Sequence, residues 1–259
     1  MMGVGGGIVV VPVLAVVLDV PIRLAIGASM IGVVATSSAA AAVYVRQGLS
    51  NIRLGILLSQ ATVLGALGGV LFGRIAGGRA ITAVFAGVLV FAAWAMLRRH
   101  RDKPVPPGAG GRLEDRLNLS GRYLDGSAGR EVRYGVMRLA IGAPAMITAG
   151  LVSGMLGVGG GIFQVPIMDV VMSMPIKAAT ATSNFMMGIT AAAGAVAFFA
   201  MGEIEPLIAA PVTVGVFLGA TLGSHVMPRT ADSRLRFLFV GMLLFMAVMM
   251  AWRAVMGDA

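Results

Sequence analysis

The chain has 259 residues, of which 58% are hydrophobic and 12% charged, with a mean hydropathy of +0.92. A water-soluble domain carries about 25% charged residues, so this composition excludes a soluble globular protein. It contains no cysteine and two histidines, His100 and His225, which excludes a disulfide framework, a thiolate metal centre and a histidine-rich metal site. The formal net charge of +9 would suit nucleic acid, but ten of the 20 basic residues crowd between Arg98 and Arg138. A basic segment between apolar runs is the mark of a cytoplasmic loop, so nucleic acid is not an expected partner.

In chain order, residues 3–18 form a short apolar segment headed by Gly5-Gly6-Gly7 and interrupted by Pro12. Asp19 to Arg23 make a turn, residues 24–45 an Ala- and Ser-rich span, and Arg46 to Arg53 a polar loop. Residues 54–73 span again, Arg74 to Arg79 form a loop, and residues 80–97 span once more. Residues 98–138, with Pro104, Pro106, Pro107 and the run from Gly108 to Gly111, read as a flexible basic linker with one short interfacial helix. Then come a span over 139–156, the stretch Gly157-Val158-Gly159-Gly160-Gly161, and segments 162–173, 176–201, 206–227 and 235–253. Runs such as Pro206 to Met227 are long enough to cross a hydrocarbon core of about 30 Å. Lipid offers backbone groups no partners, and the alternation of a β-barrel is absent, so these runs must be helices. The expectation is an all-α polytopic membrane protein of about nine membrane segments. Met1-Met2-Gly3 shows neither a basic n-region nor a cleavage site, so the first apolar span is expected to serve as its own insertion signal.

The glycine stretch occurs twice. Gly3-Val4-Gly5-Gly6-Gly7 with Val11-Pro12 returns 154 residues later as Gly157-Val158-Gly159-Gly160-Gly161 with Val165-Pro166. The register then holds without insertion: Pro21-Ile22-Arg23 matches Pro175-Ile176-Lys177, Ser29 matches Ser183, Gly48 matches Gly202, and Gly87 matches Gly241. Such an offset is a duplication. The chain is therefore expected to divide into a first repeat, 1–97, whose opening helix is absent from this sequence, being either lost or ahead of Met1, the linker 98–138, and a second repeat, 139–259. With the linker placed inside, the arginine-bearing loop from Arg46 to Arg53 falls inside, whereas its counterpart, Gly202 to Pro206, carries no basic residue and falls outside. Arg74 and Arg79 then lie outside, against the rule. The two repeats are thus expected to have inverted topology, an organisation typical of secondary carriers, with discontinuous Gly-rich helices at the midplane.

Glycine lets the backbone leave helical geometry. A helix that restarts after such a run exposes unpaired N–H groups at a positive dipole end. Gly5, Gly6 and Gly7 with Gly159, Gly160 and Gly161 are therefore candidate anion-binding residues, although small residues also serve close helix packing. Ser29, Thr182, Ser183 and Asn184 would add neutral donors, with Gln164 a further candidate. The competing role for a Ser or Thr is a bond to its own carbonyl four residues back. Thr36, Ser37 and Ser38 are weaker candidates. Asp169 is an acid within an apolar segment and a candidate proton-coupling group. The stripes Gly65-xxx-Gly69-xxx-Gly73 and Gly215-xxx-Gly219-xxx-Gly223 read as packing surfaces. No zincin pair and no Gly-x-Ser-x-Gly elbow is present, and Ser224-His225 are adjacent in sequence, so no enzyme and no catalytic residue is expected. Neither a cofactor nor a metal is implied.

At the doubled glycine motif, Pro175-Ile176-Lys177-Ala178-Ala179, Ala181-Thr182-Ser183, Pro21-Ile22-Arg23 and Gly27-Ala28-Ser29, the chain resembles the TauE/SafE family of membrane anion permeases, the sulfite exporters. It departs at Ala28, where members often carry Thr, and in lacking the first helix. The resemblance implies a multi-pass protein of the plasma membrane that moves sulfite, organosulfonates or related sulfur oxyanions, generally outward. The expected partners are a small anionic substrate, membrane lipid and a second copy of the chain. A carrier of another small anion such as a carboxylate, and a non-transporting membrane scaffold, are the alternatives.

Overall fold

Most of the chain is apolar helix, because Ala-, Leu-, Val- and Ile-rich runs can satisfy their backbone only internally when lipid surrounds them. The computed structural model of the protein describes residues 6–97, 114, 116–125, 130–226 and 232–256. Helix α1 (Gly7–Pro12) is six residues long and ends at a proline, which has no N–H to continue the ladder; the chain widens there into a π turn, Val13–Val17. Helices α2 (Ile22–Arg46), α3 (Ile52–Ile75) and α4 (Gly78–Leu97) follow. After a β-hairpin come α5 (Leu139–Leu156), the short α6 (Gly161–Pro166), a second π turn (Ile167–Val171), α7 (Ile176–Ala200), α8 (Pro206–Val226) and α9 (Asp232–Met256). The elements from α1 to α4 each begin 154 residues before their counterparts from α6 to α9, as Gly7 to Gly161 and Ile22 to Ile176 illustrate.

By length and composition, four described helices can cross a membrane: α2, α3, α5 and α7. Shorter apolar stretches include Gly7–Val17, Gly78–Phe91, Gly161–Val171, Pro206–Gly219 and Leu243–Trp252. Large apolar side chains such as Leu64, Leu71, Phe199 and Val248 point outward, as a lipid-facing surface requires.

The packing is reciprocal. Helix α2 lies along α7, α4 along α9, α3 also contacts α7, and α8 contacts α2. Helices α2 and α7 run antiparallel. Near the C-terminus of α2, Ser50 Oγ donates to Ala181 O (3.1 Å) and Asn51 N–H to Thr182 Oγ1 (2.9 Å). Near its N-terminus, Arg23 pairs with Glu203 (3.6 Å) and donates through Nη2 to Arg74 O (3.0 Å) and Ala76 O (3.2 Å). The loop after α2 and the equivalent loop after α7 therefore meet opposite ends of α2.

Helices α3 and α5 cross at backbone contact. A Cβ on Gly65 or Gly69 would strike the carbonyls of Ile147 or Leu151, and one on Gly150 or Gly154 those of Thr62 or Ala66. This is small-residue packing on both helices. The corresponding stripe on α8 differs from expectation: among the described residues, a Cβ on Gly215 or Gly219 would meet nothing within 4 Å. A small-residue stripe permits close approach, but it acts only where a second helix lies against it.

The linker also departs from the flexible segment expected of its Pro and Gly content. Strands β1 (Gly121–Asp125) and β2 (Arg130–Tyr134) pair antiparallel, with Tyr123 opposite Val132 and Gly121 opposite Tyr134. Alternation turns Tyr123 and Tyr134 into the protein and Arg122 and Arg133 outward. The inward residues, with Leu119 and Val136, join a core containing Leu54, Leu58, Met146, Met168 and Met174. Asn51 Nδ2 donates to Leu119 O (2.7 Å), and Met137 N–H donates to Met172 O (3.1 Å). Burial pushes the Tyr134 phenol up to about 12. The Pro-rich part of the linker lies outside the described residues.

Candidate functional site

Helix α5 stops because Gly157 adopts a left-handed conformation, φ +71°, while its N–H caps Ser153 O at 2.8 Å. Gly159 and Gly160 are left-handed as well, at φ +73° and +79°. The next N–H groups to find a backbone acceptor belong to Phe163 and Gln164, both at 3.0 Å from Gly160 O. Among the described residues, the N–H groups from Val158 to Ile162 make no backbone hydrogen bond. The glycine stretch thus forms a loop rich in unspent donors between two helices.

The first glycine motif buttresses the second. A Cβ on Gly7 would sit 2.5 Å from Gly157 O and 2.7 Å from Ser29 Oγ, so only a glycine fits there. Ser29, buried, donates its hydroxyl to Gly157 O at 2.8 Å. The first motif is otherwise different: Gly6 is right-handed at φ −67°, with its carbonyl accepting from Val9 and Val10. Gly5 lies outside the described residues.

The polar centre of the second motif is Gln164, which is 0% exposed. Its Oε1 accepts from Ser183 Oγ at 3.1 Å, while its Nε2 has no partner. Ser153, also 0% exposed, has an unpartnered Oγ. Both atoms converge on Gly160: a Cβ there would lie 2.9 Å from Gln164 Nε2 and 3.4 Å from Ser153 Oγ. A buried polar group without a partner costs about 1–3 kcal/mol, so two such groups facing one loop mark a place shaped for something other than packing.

The other sequence candidates are engaged elsewhere. Thr182 Oγ1 accepts the Asn51 N–H, and Asn184 Nδ2 donates to Thr180 O in its own helix at 2.8 Å. Thr36 and Ser37 bond carbonyls one turn back, at 3.0 and 2.5 Å. Asp169 sits half-buried in the second π turn and has an interaction within the fold. The side chains of Ser224 and His225 lie outside the described residues. Ser153 was missed by the sequence reading; its signal was a hydroxyl one turn before the glycine run. With only six residues in α6, few peptide dipoles align there, so the donors of the loop and side chains matter more than a macrodipole.

The two halves are chemically unequal. Val10, Ala28 and Met30 occupy the positions equivalent to Gln164, Thr182 and Asn184, so the donor cluster belongs to the second half. Among the described residues, no group of three or more His, Asp and Glu could hold a metal ion. A depression of about 420 Å³ lined by Arg53, Ile56, Leu57, Gln60, Leu117 and Leu119 opens beside the linker, away from the glycine loop.

An apolar helical bundle of two like halves, with unspent neutral donors buried at a broken helix, has the organisation of a membrane transporter. The chain belongs to the sulfite exporter TauE/SafE family, which matches residues 1–250. It is similar to the probable membrane transporter protein YunE of Bacillus subtilis (strain 168), with 23% identity over 233 residues, covering 87% of this chain and 82% of that protein. No solved structure matches it. The protein is a multi-pass membrane transporter.

Proposed function

We propose that the protein is a secondary carrier of sulfite, organosulfonates or related sulfur oxyanions, working by alternating access in the plasma membrane. The observation that carries this reading is the pair of buried, unpartnered donors, Gln164 Nε2 and Ser153 Oγ, facing the buried Gly157–Gly161 loop. An oxyanion at that loop would receive these donors and loop N–H groups, while Ser183 fixes the Gln164 amide through Oε1. In this reading α1–α4 and α6–α9 are inverted repeats of a nine-segment bundle. The shared 154-residue offset and the antiparallel course of α2 and α7 support it. Gly7 and Ser29 tie the loop to the opposite half, so rocking one half against the other moves the site with it. Asp169, five residues beyond Gln164, is the candidate proton-coupling acid.

The test is uptake of labelled sulfite and methanesulfonate into proteoliposomes holding the purified chain, with acetate as a competing carboxylate. A Gly160→Ala variant places a Cβ on the two donors and strains a left-handed residue by about 1–2 kcal/mol. Saturable uptake by the wild type, lost in the folded variant, is the expected result. Uptake by the variant at the wild-type rate would remove the site, and inhibition by acetate alone would make the substrate a carboxylate.

A further inference from the structure

We infer that the site takes singly charged oxyanions, such as a sulfonate or hydrogen sulfite, and rejects dianions such as sulfate and fully ionised sulfite. The inference rests on the anion-carrier reading and narrows its substrate by charge state.

The donors that converge on the loop are all neutral: the Gln164 amide, the Ser153 hydroxyl and backbone N–H groups. The surrounding wall is apolar. Ile26 packs on Gly157, Val33 and Met187 on Gly159, and the rings of Phe163 and Phe91 stack at 5.3 Å. Among the described residues, no ionised side chain hydrogen-bonds to Ser153, Gln164 or Ser183.

The charges on the elements packed around the loop can be followed one by one, beginning with α3, whose Arg53 and Arg74 are both exposed, the latter next to Gly73, which packs on Met155. Helices α5 and α6 carry none, and Arg138 lies just before α5. On α7 the charge is Lys177, six residues before Ser183 and therefore about 9 Å away along the axis. On α2 the charges are Arg23, committed to Glu203 and to two carbonyls, and Arg46 at the far end. On α4 it is Arg79, in the first turn. The π turn contributes Asp169, whose charge, when ionised, opposes an anion.

Without a counter-charge, selectivity follows from how two energies scale. The desolvation cost of an ion rises with the square of its charge, so a dianion costs about four times as much as a monoanion to bring in. Its attraction to fixed dipoles rises only in proportion to charge. The same donors that hold a monoanion therefore cannot compensate a dianion. A sulfonate or hydrogen sulfite presents three sulfur-bound oxygens, and the two Gln164 amide hydrogens, the Ser153 hydroxyl and the loop N–H groups suffice for them.

The experiment is equilibrium competition against labelled methanesulfonate, using the full chain purified in detergent. Methanesulfonate stays a monoanion, so any pH dependence of its own affinity reports the protein, Asp169 included, and sulfite is read relative to it. The affinity for total sulfite should fall about tenfold per pH unit once pH exceeds the second ionisation of sulfurous acid. Sulfate should compete at least about 100-fold more weakly than methanesulfonate. An Asp169→Asn variant should keep the sulfite slope, because the titrating proton belongs to the ligand. Sulfate competing on a par with methanesulfonate, a pH-independent sulfite affinity, or a slope abolished by Asp169→Asn would each overturn the inference. Retention of no anion by folded protein would overturn the carrier reading as well.

Discussion

Replacing Gln164 with leucine should separate a binding residue from a structural strut, because the two roles predict opposite signs. In the native fold the buried Nε2 is unpartnered, a penalty of about 1–3 kcal/mol, and Oε1 holds one neutral bond to Ser183, worth about 1 kcal/mol. Leucine has a similar volume and removes the orphaned donor. Ser183 can redirect its hydroxyl to the carbonyl four residues back in α7. The variant is therefore expected to be unchanged in stability or up to about 1 kcal/mol more stable. Anion binding should suffer instead: a hydrogen bond to a charged group is worth about 1.5–3 kcal/mol, so affinity should fall about 10- to 150-fold. Methanesulfonate competition and thermal unfolding of the same preparation measure both quantities. A lower melting temperature with unchanged affinity would refute the reasoning and make Gln164 a packing residue.

Gly65→Ala drives a methyl into the Ile147 carbonyl and should cost about 1–3 kcal/mol as α3 and α5 separate, whereas Gly219→Ala, at the equivalent and uncrowded position, should cost little. Comparison of their melting temperatures checks this, and equal losses would contradict it. Docking of the hairpin should weaken at high pH: with the Tyr134 phenol raised from 10.0 to about 12, its contribution is complete below pH 10 and is lost as pH rises through 12. Limited proteolysis of the linker across that window should show a step that Tyr134→Phe abolishes.

The helices were legible because each apolar run is long and uninterrupted, and because the glycine and proline punctuation recurs at one offset. The paired prolines, Pro12 and Pro166, were legible for the same reason, but the π turn that follows each was not. What the sequence concealed was the direction of each hydroxyl. Ser29, Thr182 and Ser183 are alike as residues, yet the first serves a loop carbonyl, the second a backbone N–H and the third a glutamine amide. Those choices depend on which neighbour lies opposite, which is set by packing between segments far apart in sequence. Ser153 was passed over because a serine near a helix end normally satisfies itself. The hairpin was hidden by its brevity: two strands of five residues give little room for alternation beside the prolines that precede them.

The interleaving of the two halves also constrains how the protein is made. Helix α3 meets its tightest neighbour in α5, α2 lies along α7, and α4 along α9. The helices synthesised first therefore enter the bilayer before the surfaces they will cover exist. The Ser29 hydroxyl has no Gly157 carbonyl to meet until the ribosome has passed the linker. Membrane insertion and tertiary assembly are thereby separate stages for this chain, and its first half is a set of independently inserted helices until translation of the second supplies their partners.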